Sequence, residues 1–179
     1  GKKRSSRLAP YRIETLVTLR KGARWVEFET KINNNVPNHY LQAAFPTDVD
    51  AEFVYAQGQF DVVKRPIAKP DYSKYDEIPM TEQPMNSFVD ICNENEGAAI
   101  LNTGLKAYES DDDYNHTVYL SLLRCFELRI YVTPEEQNYS RIENGSQSFG
   151  EHTFRYAFMP HKGDWEDAQV WKAAEDFNM

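Results

Sequence analysis

Residues 25–32 read Trp25-Val26-Glu27-Phe28-Glu29-Thr30-Lys31-Ile32. Val26, Phe28, Thr30 and Ile32 alternate with Trp25, Glu27, Glu29 and Lys31, the period of two expected of a strand with one wet face. Just upstream, Tyr11 to Leu19 (YRIETLVTL) is β-branched and alternating, with Tyr11, Ile13 and Val17 on one face. Lys21-Gly22 supplies the turn between the two runs, so they predict an antiparallel hairpin. Asn33-Asn34-Asn35 then tolerates left-handed geometry and breaks the second strand, and Pro37 prevents its immediate resumption.

The same rhythm continues outward. Strands are predicted at Tyr40–Phe45, Glu52–Gln57, Gln59–Lys64, Phe88–Cys92, Ala98–Leu101, Val118–Phe126 and His152–Phe158, separated by turn-rich loops. Pro66–Pro84 holds four of the nine prolines and little periodicity, which predicts a long loop over the sheet surface. Asn144–Gly150 has the composition of a connecting loop. A helix is predicted only at 164–177, where Asp164 caps the first turn and Val170, Ala174 and Phe177 share a face. The fold class expected is mainly β, an antiparallel β-sandwich with long loops and a short C-terminal helix, formed as one domain over residues 1–179.

Composition narrows the function. With 41% hydrophobic and 13% aromatic residues the chain can bury a core. A net charge of -8, with basic residues clustered only at Lys2, Lys3, Arg4 and Arg7, argues against nucleic-acid partners and anionic membranes. No apolar run approaches the roughly 20 residues of a membrane span, and no signal-peptide core is present, so no membrane association is expected. Cys92 and Cys125 lack CxxC spacing, which points to a reducing compartment, the cytoplasm. Sequons at Asn115, Asn138 and Asn144 matter only in a secreted eukaryotic protein.

Local chemistry is sparse. His39, His116, His152 and His161 lack the spacing of a zinc site. His161 lies between a predicted strand and helix with Asp164 nearby, where the pair either serves a function or merely shapes the junction. Asp111-Asp112-Asp113 with Asn115 has oxygen ligands but no EF-hand spacing, so a solvated turn is expected and no metal. No nucleophile elbow, P-loop or dinucleotide fingerprint occurs, and no carboxylate pair can be picked out. The best candidate is Arg65, at the end of Tyr55-Ala56-Gln57-Gly58-Gln59-Phe60-Asp61-Val62-Val63-Lys64-Arg65-Pro66, where Gly58 suggests a bulge. Arg65 either reaches a sugar hydroxyl or carboxylate or serves with Lys64 as an edge charge against aggregation.

Several stretches together resemble the β-rich region that follows the catalytic barrel in the family 38 glycoside hydrolases, the retaining α-mannosidases, particularly their mannosylglycerate-hydrolase branch. They are Val17-Thr18-Leu19-Arg20-Lys21-Gly22, Phe45-Pro46-Thr47, Gly58 to Pro66, Phe88-Val89-Asp90, Ala99 to Glu109, Leu122-Leu123-Arg124 and Gly150 to Ala157 with Pro160-His161. The resemblance implies a non-catalytic β-sandwich that supports and rims a sugar pocket, with Arg65 as the rim residue. It implies that nucleophile, acid and zinc lie in a catalytic domain missing here, so the chain alone is inactive and holds no cofactor or metal. The partners implied are that catalytic domain and an α-mannoside. Both ends then look like cut points, with more β-structure after the helix, and an exposed apolar edge should favour self-association or a homo-oligomer. The alternative from the residues is a free-standing carbohydrate-binding or interaction module, with Trp25, Tyr72 or Tyr75 as stacking platforms.

Overall fold

The computed structural model describes residues 8–74, 76, 80–126 and 144–179. Tyr75 and Asn138 fall outside the described residues. The chain is mainly β, with eleven strands in two antiparallel sheets among the described residues. The strands are β1 (Ile13–Thr18), β2 (Val26–Asn34), β3 (Tyr40–Phe45), β4 (Phe53–Gln57), β5 (Val62–Pro66), β6 (Gln83–Pro84), β7 (Phe88–Cys92), β8 (Glu96–Asn102), β9 (Ala107–Ser110), β10 (Val118–Arg124) and β11 (Gly150–Lys162), and the helices are α1 (Asn144–Gln147) and α2 (Val170–Asn178). One sheet has seven strands in the order β1-β2-β11-β8-β7-β4-β5, and the other has four in the order β3-β10-β9-β6.

The alternation at 25–32 works as expected on its inner face. Thr30 and Ile32 are buried, and the Thr30 hydroxyl lies 2.7 Å from the Tyr156 hydroxyl across the β2–β11 ladder. Val54, Val89, Ile91, Ile100 and Tyr156 of the larger sheet meet Tyr108, Val118 and Leu120 of the smaller, which makes the sandwich core. All five residues of β7 are buried. Continuous burial requires cover on both faces, and the second cover is α2, whose Val170, Ala173, Ala174 and Phe177 pack on Phe88, Leu101, Ala157 and Met159.

Several boundaries differ from the expectation for physical reasons. Asn33 and Asn34 remain in the ladder, because the buried Asn34 amide donates to the Gln147 and Ser148 carbonyls at 2.8 Å; the break falls after it, with Asn38 at φ 55°. Gly58 is not a strand bulge. It sits in the β4–β5 turn, its amide donating to the Asp61 carbonyl at 2.7 Å, so β5 starts at Val62 rather than Gln59. Asp164 does cap a turn, accepting from the Glu166 and Asp167 amides at 3.0 and 2.9 Å, but left-handed Gln169 (φ 50°) separates that turn from α2, which begins at Val170. Within 66–84 a short strand, β6, pairs with β9, and Asn144–Gln147 forms a helical turn whose Gln147 is buried.

Candidate functional site: the mouth of the sandwich at Arg65

Strand β5 is an outer strand of the seven-stranded sheet, and its register with β4 sets Arg65 opposite Val54, a core residue. Arg65 is therefore turned inward. Its Nη1 donates to the Tyr108 hydroxyl at 3.1 Å, tying the edge of one sheet to β9 of the other. Tyr108 is fully buried; burial pushes its phenol pKa up, and the Arg65 charge and hydrogen bond pull against that rise. The neighbouring Lys64 faces the other way, 3.9 Å over the Phe53 ring, and fits the edge-charge reading. The two adjacent cations thus face opposite sides of the sheet.

Beside Arg65 opens a pocket of about 280 Å³, walled by Ile67, Pro70, Tyr72 and Tyr108, with Thr81 and Ser110 supplying hydroxyls. Thr81 and Met80 also line a neighbouring groove of about 500 Å³ on the four-stranded sheet. There Glu82 accepts from Tyr40 Oη at 2.7 Å, Ser121 Oγ at 2.6 Å and Arg124 Nη1 at 3.0 Å, while Gln42 donates to Glu109 at 3.0 Å. Burial first, and then the Glu82 and Glu109 carboxylates, push the Tyr40 hydroxyl up to about 12. Sequence reasoning misses this network, because its members come from β3, β9, β10 and the segment before β6 and share no local pattern.

The other candidates have structural partners. His161 is the penultimate residue of β11, which runs on to Lys162, with its Nε2 2.7 Å from Asp90 Oδ2 and both side chains buried. His39 bonds the Tyr11 hydroxyl and His152 the Ser148 carbonyl. In the turn before β10, Asp113 accepts from the amide and hydroxyl of Thr117, both at 2.8 Å, and Asp111 holds Lys69 at 3.3 Å. Trp25 packs edge-on against Phe177, so it is no free platform; Tyr72 lines the Arg65 pocket. Among the described residues no three His, Cys, Asp or Glu side chains converge as metal ligands, and no helix is long and apolar enough to cross a membrane.

Comparison with known proteins adds an independent finding. Residues 3–127 match the family model of the glycosyl hydrolases family 38 C-terminal domain. The structure superposes on an alpha-mannosidase from Enterococcus faecalis V583 with a TM-score of 0.80 and 30% identity, covering 99% of this chain and 19% of that one. A Halalkalibacterium halodurans protein named "Putative mannosylglycerate hydrolase" is 29% identical over 177 residues, 97% of this chain and 18% of that protein. Human alpha-mannosidase 2C1 is 28% identical over 168 residues, 94% of this chain and 14% of that protein. The chain thus spans less than a fifth of each of these proteins.

Proposed function

The chain belongs to the family 38 glycosyl hydrolases, as their C-terminal domain, and on that premise we propose that it is a non-catalytic β-sandwich which supports and rims the sugar pocket of an α-mannosidase. The observation that carries the reading is the match over residues 3–127 together with a superposition covering 99% of the chain on an α-mannosidase. In this reading the whole protein cleaves α-mannosidic bonds with retention, using two carboxylates placed outside this chain. In the same reading the zinc that grips sugar hydroxyls is likewise held outside it. Two free, buried cysteines support a reducing compartment, the cytoplasm. The alternative of a free-standing carbohydrate-binding module is weakened by Trp25, whose indole is engaged by Phe177.

The whole protein bearing this domain should release mannose from an aryl α-mannoside with retained anomeric configuration, read by proton NMR. The purified 179-residue chain should release none. Turnover by the isolated chain, unaffected by repurification, would overturn the non-catalytic assignment. In the whole protein, Arg65→Ala should raise KM more than it lowers kcat, since a rim residue acts mainly on binding.

A further inference from the structure

We infer that the groove on the outer face of the four-stranded sheet, at Glu82 and Glu109, is the docking surface for the basic residues Lys2, Lys3, Arg4 and Arg7 of the same chain. The inference goes beyond the mannosidase reading and does not depend on it.

The charge of the groove is the first argument. Tyr108 and Leu120 point into the core, so the alternation along β9 and β10 turns Glu109 and Ser121 to the outer face. There Glu82, its side chain only 12% exposed, has Arg124 as counter-ion at 3.0 Å. Glu109 meets only neutral donors among the described residues, the Gln42 amide at 3.0 Å and the Thr81 hydroxyl. Two partly buried carboxylates thus share one guanidinium, and a carboxylate withdrawn from water without a cation is costly until one arrives. Met80 and Phe126, 56% and 45% exposed, line the same groove. The methylene stems of lysine and arginine lie well on such apolar surface while their charged heads reach an acid.

The position of the basic segment is the second argument. Residues 1–7 hold two lysines, two arginines and no acid, in a chain whose net charge is -8. They are tethered at the wall of the groove. The Tyr11 hydroxyl bonds His39 Nε2 at 3.0 Å, its ring meets the imidazole edge-on at 5.1 Å, and it packs against the cluster containing Cys125; His39 and Cys125 both line the groove. Four residues of extended chain cover about 13 Å, enough for Arg7 to reach the groove from Tyr11, and nine cover about 30 Å, enough for Lys2 to cross it. So short a tether gives the segment an effective concentration on the order of millimolar, at which weak charge pairs suffice. Leu8 is 92% exposed, and Ala9 and Pro10 are exposed with it, so this stretch is committed to no other face. Residues 127–143, which follow Phe126, carry four acids against two arginines and would add to the negative charge rather than answer it.

The test is zero-length carbodiimide coupling of the 179-residue chain at low salt, which joins an amine to a carboxylate with loss of water and is read by peptide mass spectrometry. Lys2 or Lys3 should couple to Glu82 or Glu109 with a yield that does not change on dilution and that falls about tenfold in 0.5 M sodium chloride. In NMR spectra, replacing Lys2, Lys3, Arg4 and Arg7 together by glutamine should move the Tyr40 and Glu109 amides and the Gln42 side-chain amide. Salt should move the same resonances in the parent. The four substitutions precede the first strand, so the groove itself is left as it is. Lysine coupling spread over carboxylates elsewhere on the surface would overturn the inference, as would groove resonances indifferent to both the substitutions and salt. Coupling found only between molecules, in a mixture of light and isotope-labelled chains, would overturn it too and assign the groove to a second copy. None of these outcomes touches the α-mannosidase reading, which is tested by hydrolysis in the whole protein.

Discussion

Asp90 and His161, 71 residues apart in sequence, form a buried pair on the helix-covered side of the seven-stranded sheet, with Nε2 to Oδ2 at 2.7 Å. Burial, the largest single influence, pushes the imidazole pKa down, but the Asp90 hydrogen bond and charge, with backbone hydrogen bonds at Lys162 and Gly163, together outweigh it, and the net shift is upward. A group whose folded pKa lies above its unfolded value of about 6.5 contributes stability that is complete below that value and is lost as pH rises through the folded one. The urea midpoint should therefore fall between pH 6 and pH 9. Asp90→Asn should cost about 3 kcal/mol at pH 6 and flatten this dependence. An unchanged slope in the variant would assign the pH effect elsewhere.

The same pair makes Gly97 irreplaceable. A Cβ there would fall 2.3 Å from His161 Cε1 and 2.6 Å from Cys92 Cβ, and neither neighbour is the free end of a flexible chain. Gly97→Ala should cost about 3 kcal/mol or more through overpacking. Gly104 offers the contrast: with φ +91° and nothing within 4 Å of where a methyl group would sit, its alanine variant carries backbone strain alone, about 1 kcal/mol. Thermal unfolding should rank Gly97→Ala well below Gly104→Ala, and the reverse order would refute the steric argument.

The alternation of Val26, Phe28, Thr30 and Ile32 is enough to read a strand and its buried face, because period-two patterning is a local property of the chain. The direction of Arg65 is not legible in the same way, since it follows from pairing opposite Val54, a register set by the Gly58–Asp61 turn that the residue pattern suggests only as a bulge. Strand β9 is hidden for a related reason: of Ala107–Ser110 only Tyr108 is fully buried, and its partners lie in Gln83 and Leu120. His161 and Asp90 meet across β8, a relationship no spacing encodes.

Helix α2 is held by one apolar face, and Phe177 is its deepest aromatic, edge-on to Trp25 at 6.0 Å and beneath the Arg155 guanidinium at 5.4 Å. Phe177→Ala should cost about 3 to 5 kcal/mol, measured by urea unfolding. The left-handed Gln169 that starts the helix pulls the other way: glycine accepts φ 50° without a Cβ penalty, so Gln169→Gly should be neutral or stabilising by up to about 1 kcal/mol. Equal destabilisation by both changes would mean that helix packing, rather than backbone strain, governs position 169.

At the β1 edge of the larger sheet, Leu16, Val17 and Leu19 are 65%, 57% and 72% exposed, although β1 is fully paired with β2 on its other side. Among the described residues β1 has no partner on its outer side; an unpaired edge with apolar side chains on both faces invites another strand, and lysine on such an edge is the usual deterrent. Sedimentation velocity of the 179-residue chain should show concentration-dependent association that Leu16→Lys with Leu19→Lys suppresses. Both substitutions replace exposed side chains and should leave the stability within about 0.5 kcal/mol of the parent. Association that persists in the double variant would move the contact away from β1, and a monomer at every concentration would show that the exposed edge is tolerated without a partner.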